Sequence, residues 1–266
     1  MNALSPRSIK AQLKTKVIGR EIHLFGELDS TNSEAYRMAL EGAEEGEVIV
    51  ADCQLRGKGR LGRPWHSPPG VNLYVSIILR PPIPPRNASL MTIMAAVATA
   101  KATRGISGLQ PRIKWPNDIL INNKKVAGLL NEMKCSGEKV EFIILGIGIN
   151  VNMTLATVPA KIQSTATSLR EELGHDTARD ELLKALLREV EGEYRTLLTG
   201  EPGRILRQWE EFSQMVGKVV EMRSSHEVVR ATVKGIDWDG SLLLSNPDGS
   251  ETRVIAGDIS HVGERP

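Results

Sequence analysis

Apolar and polar residues alternate over residues 21–27, a period of two that predicts a half-buried strand. Asp29-Ser30-Thr31-Asn32 comes next. Thr31 and Glu34 have capping-box spacing, so a helix is expected to run on to about Glu41. Short apolar runs at 48–53 and 72–79 predict two more strands, the second ended by Pro81-Pro82-Ile83-Pro84-Pro85. Residues 88–103 are small and apolar without β-branched dominance, which suits a buried helix. Strands are expected at 119–121, 126–133 and 140–149, the first two joined by the tight turn Asn122-Asn123-Lys124. Leu182, Leu183, Leu186, Leu187, Val190, Tyr194, Leu197 and Leu198 recur at helical spacing, predicting a long amphipathic helix from about Ala178 whose stripe is core packing.

After Trp209 the period changes. Four short strands are expected at 219–222, 228–236, 242–244 and 252–255, separated by Asp237-Trp238-Asp239-Gly240 and Pro247-Asp248-Gly249. Strands that short and close together read as a small β-barrel appended to a larger unit. The expected organisation is a main domain over 1–215, with a linker-like start at 1–20, and a small barrel over 216–266.

A chain of 266 residues with 41% hydrophobic and 25% charged side chains can bury a full core and is ordinary for a globular protein. Its net charge of +2 advertises neither nucleic acid nor membrane as a partner. The charge is local instead: residues 56–65 carry Arg56, Lys58, Arg60 and Arg63 and no acid. Two cysteines, Cys53 and Cys135, make neither a disulfide framework nor a metal pattern. No apolar leader is present, and the uncharged run 142–160 is broken by Gly146, Gly148, Asn150, Asn152 and Pro159. A cytoplasmic location is expected.

Four short constellations carry chemistry. In Gly57-Lys58-Gly59-Arg60-Leu61-Gly62-Arg63-Pro64-Trp65, the glycines are expected to let the backbone approach a ligand and take φ > 0, while the cations face an anion. No Gly-Lys-Ser/Thr follows, so it is not a Walker loop, and no helix opens behind it as a dinucleotide fingerprint requires. Trp65 can stack on a purine or simply plug the edge of the core. In Lys114-Trp115-Pro116-Asn117-Asp118, a cation, an amide and a carboxylate fit a phosphate, a base edge and a divalent cation, or else a Pro-directed turn. Lys125-Val126-Ala127-Gly128 brings a lysine into a strand whose glycine leaves room for a ligand. Gly146-Ile147-Gly148-Ile149-Asn150 is a strand that loses its side chains, which is costly unless something packs against it.

Taken in this order and with Asp29–Asn32 upstream, these segments resemble the signature set of biotin–protein ligases, the biotin–[acetyl-CoA-carboxylase] ligases, over roughly residues 20–265. The resemblance implies an α+β fold. A class II synthetase-like biotin/lipoate ligase catalytic domain, a mixed sheet with flanking helices, would be followed by a small SH3-like β-barrel. It also implies a two-step reaction in which biotin and MgATP give biotinyl-5′-AMP and pyrophosphate. A lysine of a biotin carboxyl carrier protein then takes the biotinyl group. Carried over by motif, Ser30, Thr31, Asn32 and Gln54 would hold the ureido ring of biotin. Gly57, Lys58, Gly59, Arg60 and Gly128 would enclose it. Arg60, Arg63, Trp65, Lys114, Asn117, Asp118 and Asn150 would face ATP, with Asp118 as the Mg2+ candidate. Lys125 would bridge carboxylate and phosphate, and Lys125, Arg60 and Lys114 form the catalytic set. Many relatives have arginine where this chain has Lys58, which keeps the charge but loses the bidentate fork.

Other classes are weighed against this one. A biotin-responsive repressor needs a DNA-binding domain, and residues 1–20 fall far short of the ~55–65 residues at which small domains usually fold alone. A pure binding module does not need so many cations. A lipoate–protein ligase shares the logic without this pairing of basic loop and Lys-Trp-Pro-Asn-Asp. A homodimer through an edge strand of the sheet is a further expectation. If the basic loop is a lid over a water-sensitive acyl adenylate, Arg60→Ala and Lys58→Gly will leak it. The measurement is indiscriminate biotinylation of bystander lysines, expected to rise above wild type.

Overall fold

The expected strands all form in the computed structural model, which describes residues 4–223, 228–255 and 257–261. Residues 1–3 and 262–266, at the ends of the expected start and barrel, lie outside the described residues, as do 224–227 and 256. In chain order the elements are α1 (Pro6–Gln12), β1 (Ile22–Leu28), α2 (Thr31–Leu40), β2 (Val48–Gln54), β3 (Leu73–Leu79) and α3 (Ser89–Ser107). Then come β4 (Arg112–Lys114), β5 (Asp118–Ile121), β6 (Lys124–Ser136), β7 (Lys139–Ile149), α4 (Ala160–Gln163), α5 (Leu169–Leu173), α6 (Arg179–Leu198) and α7 (Pro202–Ser213). The last are β8 (Val219–Arg223), β9 (Val228–Ile236), β10 (Leu242–Ser245), β11 (Glu251–Val254) and β12 (Asp258–His261).

The first seven strands form one mixed sheet in the order β1-β2-β3-β7-β6-β5-β4. Only β1 and β2 run parallel, joined through α2; the other neighbours are antiparallel. Asn122 and Asn123 both take positive φ between β5 and β6, as a two-residue hairpin turn of this hand demands.

Alternation then sorts the side chains. Val48 and Val50 of β2, Leu73, Val75, Ile77 and Leu79 of β3, and Ile143, Leu145, Ile147 and Ile149 of β7 all join the large core shared with α3 and α6. There α6 buries Leu182, Leu183, Leu186, Leu187 and Val190 completely. Each such leucine contributes about 1.5–3 kcal/mol relative to exposure. The opposite face is thinner: Ile49, Ile78, Phe142 and Ile144 pack on Ala35 and Ala39 of α2.

Two expectations need correction here. Thr31 does not close a capping box: Ser30 is the N-cap of α2, with no side-chain cap bond. The hydroxyl of Thr31 is turned toward Gln54 and Ser76 instead. The C-terminal sheet has five strands, ordered β11-β10-β9-β8-β12, because Asp258–His261 adds an antiparallel partner to β8. That strand carries a single apolar residue, Ile259, so it leaves no apolar run to announce it. The sheet docks through its 237–240 turn, where Ser89 donates to the Asp239 carbonyl and the Trp115 indole N–H to that of Gly240 at 3.4 Å. Its residues Val220, Val233, Leu242 and Leu244 extend the main buried cluster. No helix among the described residues is long and apolar enough to cross a membrane.

Glycines shape the outer face of β6 and β7. Tyr74, Gly148, Gly128 and Asp118 form one row across four strands, and Ser76, Gly146 and Leu130 form the next. A Cβ at Gly148 would lie 2.6 Å from the Trp65 indole, and one at Gly146 would lie 2.0 Å from Asn32 Oδ1. Gly148→Ala should therefore destabilise the protein by about 1–3 kcal/mol, the cost of overpacking, as read by denaturant unfolding.

The N-terminal segment is pinned by one carboxylate. Glu191 of α6 accepts from the backbone amides of Lys16, Val17 and Ile18 at 2.7, 2.7 and 2.9 Å. Burial pushes its pKa up, but the three amides, with help from Arg195, outweigh this and hold it below the usual carboxylate range. A folded-state pKa below the unfolded one stabilises at neutral pH and is lost as pH falls through the folded value. Glu191→Gln should cost about 1–3 kcal/mol at pH 7 by denaturant unfolding, with the gap to wild type closing in acid.

Candidate active site

The basic loop is a folded hairpin. Gly59 N–H donates to Arg63 O at 2.7 Å and Trp65 N–H to Gly57 O at 2.9 Å, with a single 3-10 turn at Arg60–Gly62 as its tip. Of its three glycines only Gly62 takes a positive φ, and the neighbouring Leu61 takes one too. Gly57 is needed for closeness: a Cβ there would sit 2.5 Å from the Trp65 carbonyl. The expectation of conformational freedom thus holds at Gly62, and tight packing explains Gly57. The tip leans on the rest of the molecule. Arg60 donates to Asn117 Oδ1 at 3.2 Å and to the Gly257 carbonyl at 3.4 Å, so the C-terminal sheet reaches the loop.

Beneath the loop lies a cavity open to solvent. The expected residues Ser30, Thr31, Asn32, Gln54, Lys58, Gly59, Arg60, Trp65, Asn117, Lys125 and Gly128 all line it. Its floor is a hydrogen-bonded polar strip. Gln54 Oε1 accepts from Thr31 N–H at 2.9 Å, which caps α2 from another strand, and Gln54 Nε2 donates to Ser67 Oγ at 2.9 Å. Ser76 donates to Asn32 Oδ1 at 2.7 Å. Trp65 fills the trough over Gly128 and Gly148, and its indole nitrogen is buried without a hydrogen-bond partner. A ring so placed plugs the sheet face and walls the cavity.

Lys125 stands at the head of the trough. Its Nζ lies 2.6 Å from Asp118 Oδ1 and 5.2 Å from the centre of the Trp65 ring. Both its backbone groups are used, Lys125 N–H to Thr165 O at 2.8 Å and Thr167 N–H to Lys125 O at 2.9 Å. Asn150 completes the brace, its buried amide donating to Thr167 O at 3.0 Å and to Lys125 O at 3.4 Å.

Gly57, Arg63, Lys114, Asp118 and Asn150 do not line the cavity. Gly57 and Asn150 are spent on local geometry, and Asp118 stands behind Lys125. Lys114 ends the edge strand β4, paired in register with Asp118. Three lining residues escaped the motif reading: Tyr74, Leu129 and Leu130. Ser76 and Glu132, which bond to the floor residue Asn32, escaped it too. Burial pushes the Tyr74 phenol up, and its hydroxyl donates to Pro68 O at 2.9 Å, so it is a neutral fixed wall. Ser76 was detectable as a lone hydroxyl within the apolar run of β3.

The chain matches the biotin/lipoate A/B protein ligase family over residues 25–150 and the biotin protein ligase C-terminal domain over 216–262. It is 37% identical over 256 residues to the bifunctional ligase/repressor BirA of Bacillus subtilis, an alignment spanning 96% of this chain and 78% of that one. It is 32% identical to the biotin–[acetyl-CoA-carboxylase] ligase of Paracoccus denitrificans, across 86% of this chain and 95% of that one. Among solved structures, the biotin protein ligase from Aquifex aeolicus in complex with biotin and ATP superposes with a TM-score of 0.78 at 27% identity, covering 91% of this chain and 100% of that one. The mixed sheet, the basic hairpin over a polar floor and these matches agree, and the chain belongs to the biotin/lipoate protein ligase family.

Proposed function

We propose that this chain is an ATP-dependent biotin–protein ligase, working in the cytoplasm, that biotinylates the biotin carboxyl carrier protein of acetyl-CoA carboxylase. The observation that carries this reading is the convergence of Lys58, Arg60 and Lys125 on one cavity with a polar floor. In the first step a biotin carboxylate oxygen attacks the α-phosphorus of ATP and pyrophosphate leaves. In the second, a neutral carrier lysine amine attacks the acyl carbon, the acyl carbon–oxygen bond breaks as AMP leaves, the nitrogen loses a proton to solvent and an amide forms.

The barrier in the first step is repulsion between two anions. A cation about 4 Å from each developing charge is worth about 4 kcal/mol at an effective dielectric near 20, and no acid–base pair is required. Ser30, Thr31, Asn32 and Gln54 have the donors and acceptors to hold the ureido ring, with Gly128 leaving it room. Lys125 bridges carboxylate and α-phosphate, exchanging its Asp118 partner for substrate oxygens. Arg60 and Asn117 face the nucleotide beside Trp65. Arg63 and Lys114 supply positive charge from the rim, and Asn150 acts through the backbone of Lys125.

No cluster of three or more His, Cys, Asp or Glu side chains that could hold a metal exists among the described residues. Mg2+ does not require one, since it commonly takes one or two carboxylates and completes its oxygen shell from phosphates and water. Asp118 is the carboxylate that would hold it, and the ion would neutralise further phosphate charge. The catalytic unit is assigned to 1–215, and the appended sheet at 216–266 supports the loop through the Gly257 carbonyl.

The test is incubation with biotin, MgATP and a biotin carboxyl carrier domain. Wild type should release pyrophosphate and label the carrier. Lys125→Met should lose about 100-fold or more in rate, the usual scale for one transition-state charge partner. Absence of biotin-dependent pyrophosphate release from wild type would sink the reading.

A further inference from the structure

Glu132 is not among the residues that the motifs single out, yet it sits between the two halves of the site. It follows Gly128 and Leu130 on the outer face of β6, where its register partner on β7 is Ile144. Its Oε2 accepts from Asn32 Nδ2 at 2.8 Å, and its Oε1 lies 3.9 Å from Lys58 Nζ on the basic hairpin. From there a series of close polar contacts crosses the floor. Asn32 Oδ1 accepts from Ser76, whose hydroxyl lies 2.9 Å from that of Thr31. The Thr31 hydroxyl lies 3.1 Å from Gln54 Oε1, and Gln54 Nε2 donates to Ser67. Ser67 in turn donates to the Trp65 carbonyl at 3.0 Å. Lys58 and Trp65 are the two arms of one hairpin, so these contacts leave the loop by one arm, cross the floor and return by the other.

A carboxylate is the one group at 132 that serves both neighbours. Ionised, it only accepts. Together with the Leu130 carbonyl at 3.3 Å it therefore holds the Asn32 amide with its nitrogen toward Glu132 and its oxygen toward Ser76, which orients the Ser76 hydroxyl. Its second oxygen faces a cation. Lysine at 58 presents a point charge that needs no planar fork to meet one carboxylate oxygen. We infer that Glu132 is a positioning residue that couples the biotin-facing floor to closure of the basic loop through Lys58. This rests on the biotin-ligase reading of the same cavity.

Glutamine at 132 separates the two tasks. Its amide oxygen can still accept from Asn32, but its NH2 then faces Lys58 and repels it. Wild type, Glu132→Gln, Glu132→Ala, Lys58→Met and the double variant Glu132→Gln/Lys58→Met are compared. Two quantities are read in each: the biotin dissociation constant and the rate at which biotinyl-5′-AMP escapes into solution without a carrier. Glu132→Gln should speed escape about fivefold, the scale of a part-exposed ion pair, while biotin affinity moves less than about twofold. Glu132→Ala should speed escape and also weaken biotin by up to about tenfold, because Asn32 keeps only its longer bond to the Leu130 carbonyl, at 3.3 Å. The double variant should escape no faster than Lys58→Met alone. Escape from Glu132→Gln at the wild-type rate, or effects of the two single changes that multiply, would overturn the coupling while leaving the ligase reading intact. A wild type that makes no adenylate would overturn both.

Discussion

Three glycines on one face of two paired strands are the constraint on which the site depends. In a sheet, alternate residues share a face, so the apolar partners of Gly146 and Gly148 point into the core while the glycines leave the other face bare. Gly128 pairs with Gly148 and extends the bare patch onto β6. Asn32 comes down on Gly146 and Trp65 on Gly148, closer than any Cβ would permit. The floor, the wall and the seat of Lys125 follow from that vacancy. The glycines weaken two strands locally, and the close packing of Trp65 and Asn32 offsets the loss.

Charge is arranged with equal economy. The loop brings cations without an acid of its own, and the fold supplies the acids from β5 and β6. Asp118 stands behind Lys125 and Glu132 stands beside Lys58, so neither lysine is left without a counter-charge before substrate arrives. Both pairs are partly exposed, which keeps them weak enough to exchange for substrate oxygens. The brace around Lys125 is of the opposite kind. Backbone bonds to Thr165 and Thr167 and the buried Asn150 amide fix where the ammonium starts, so the side chain alone has to move. Fixed cations around the place where negative charge develops are what adenylation demands.

The legible part of this protein was its local chemistry. Alternation marked β1, short apolar runs bounded by turns marked β2 and β3, further strands were expected at β5, β6 and β7, and helical spacing marked α6, because a face that must be buried shapes the sequence of its element. The four motifs marked most of the residues that line the cavity, since unusual residue types at fixed short spacing carry their own meaning. Strands with a single apolar residue, such as β4 and β12, left no trace in the pattern.

Tertiary structure decided what each marked residue does. Thr31 looked like a helix cap and faces the floor of the cavity, with Gln54 of another strand capping the helix in its place. Asn150 looked like a nucleotide contact and braces a backbone. Ser76 and Glu132 bear no motif, and they matter only because strand register carries them across to Asn32. Local sequence determined which segments form strands and helices and which residues are chemically able to act. Hydrogen-bond partners and ion pairs join residues roughly a hundred positions apart, as from Asn32 to Glu132. No spacing rule within one segment can encode a distance that exists only after the sheet has formed.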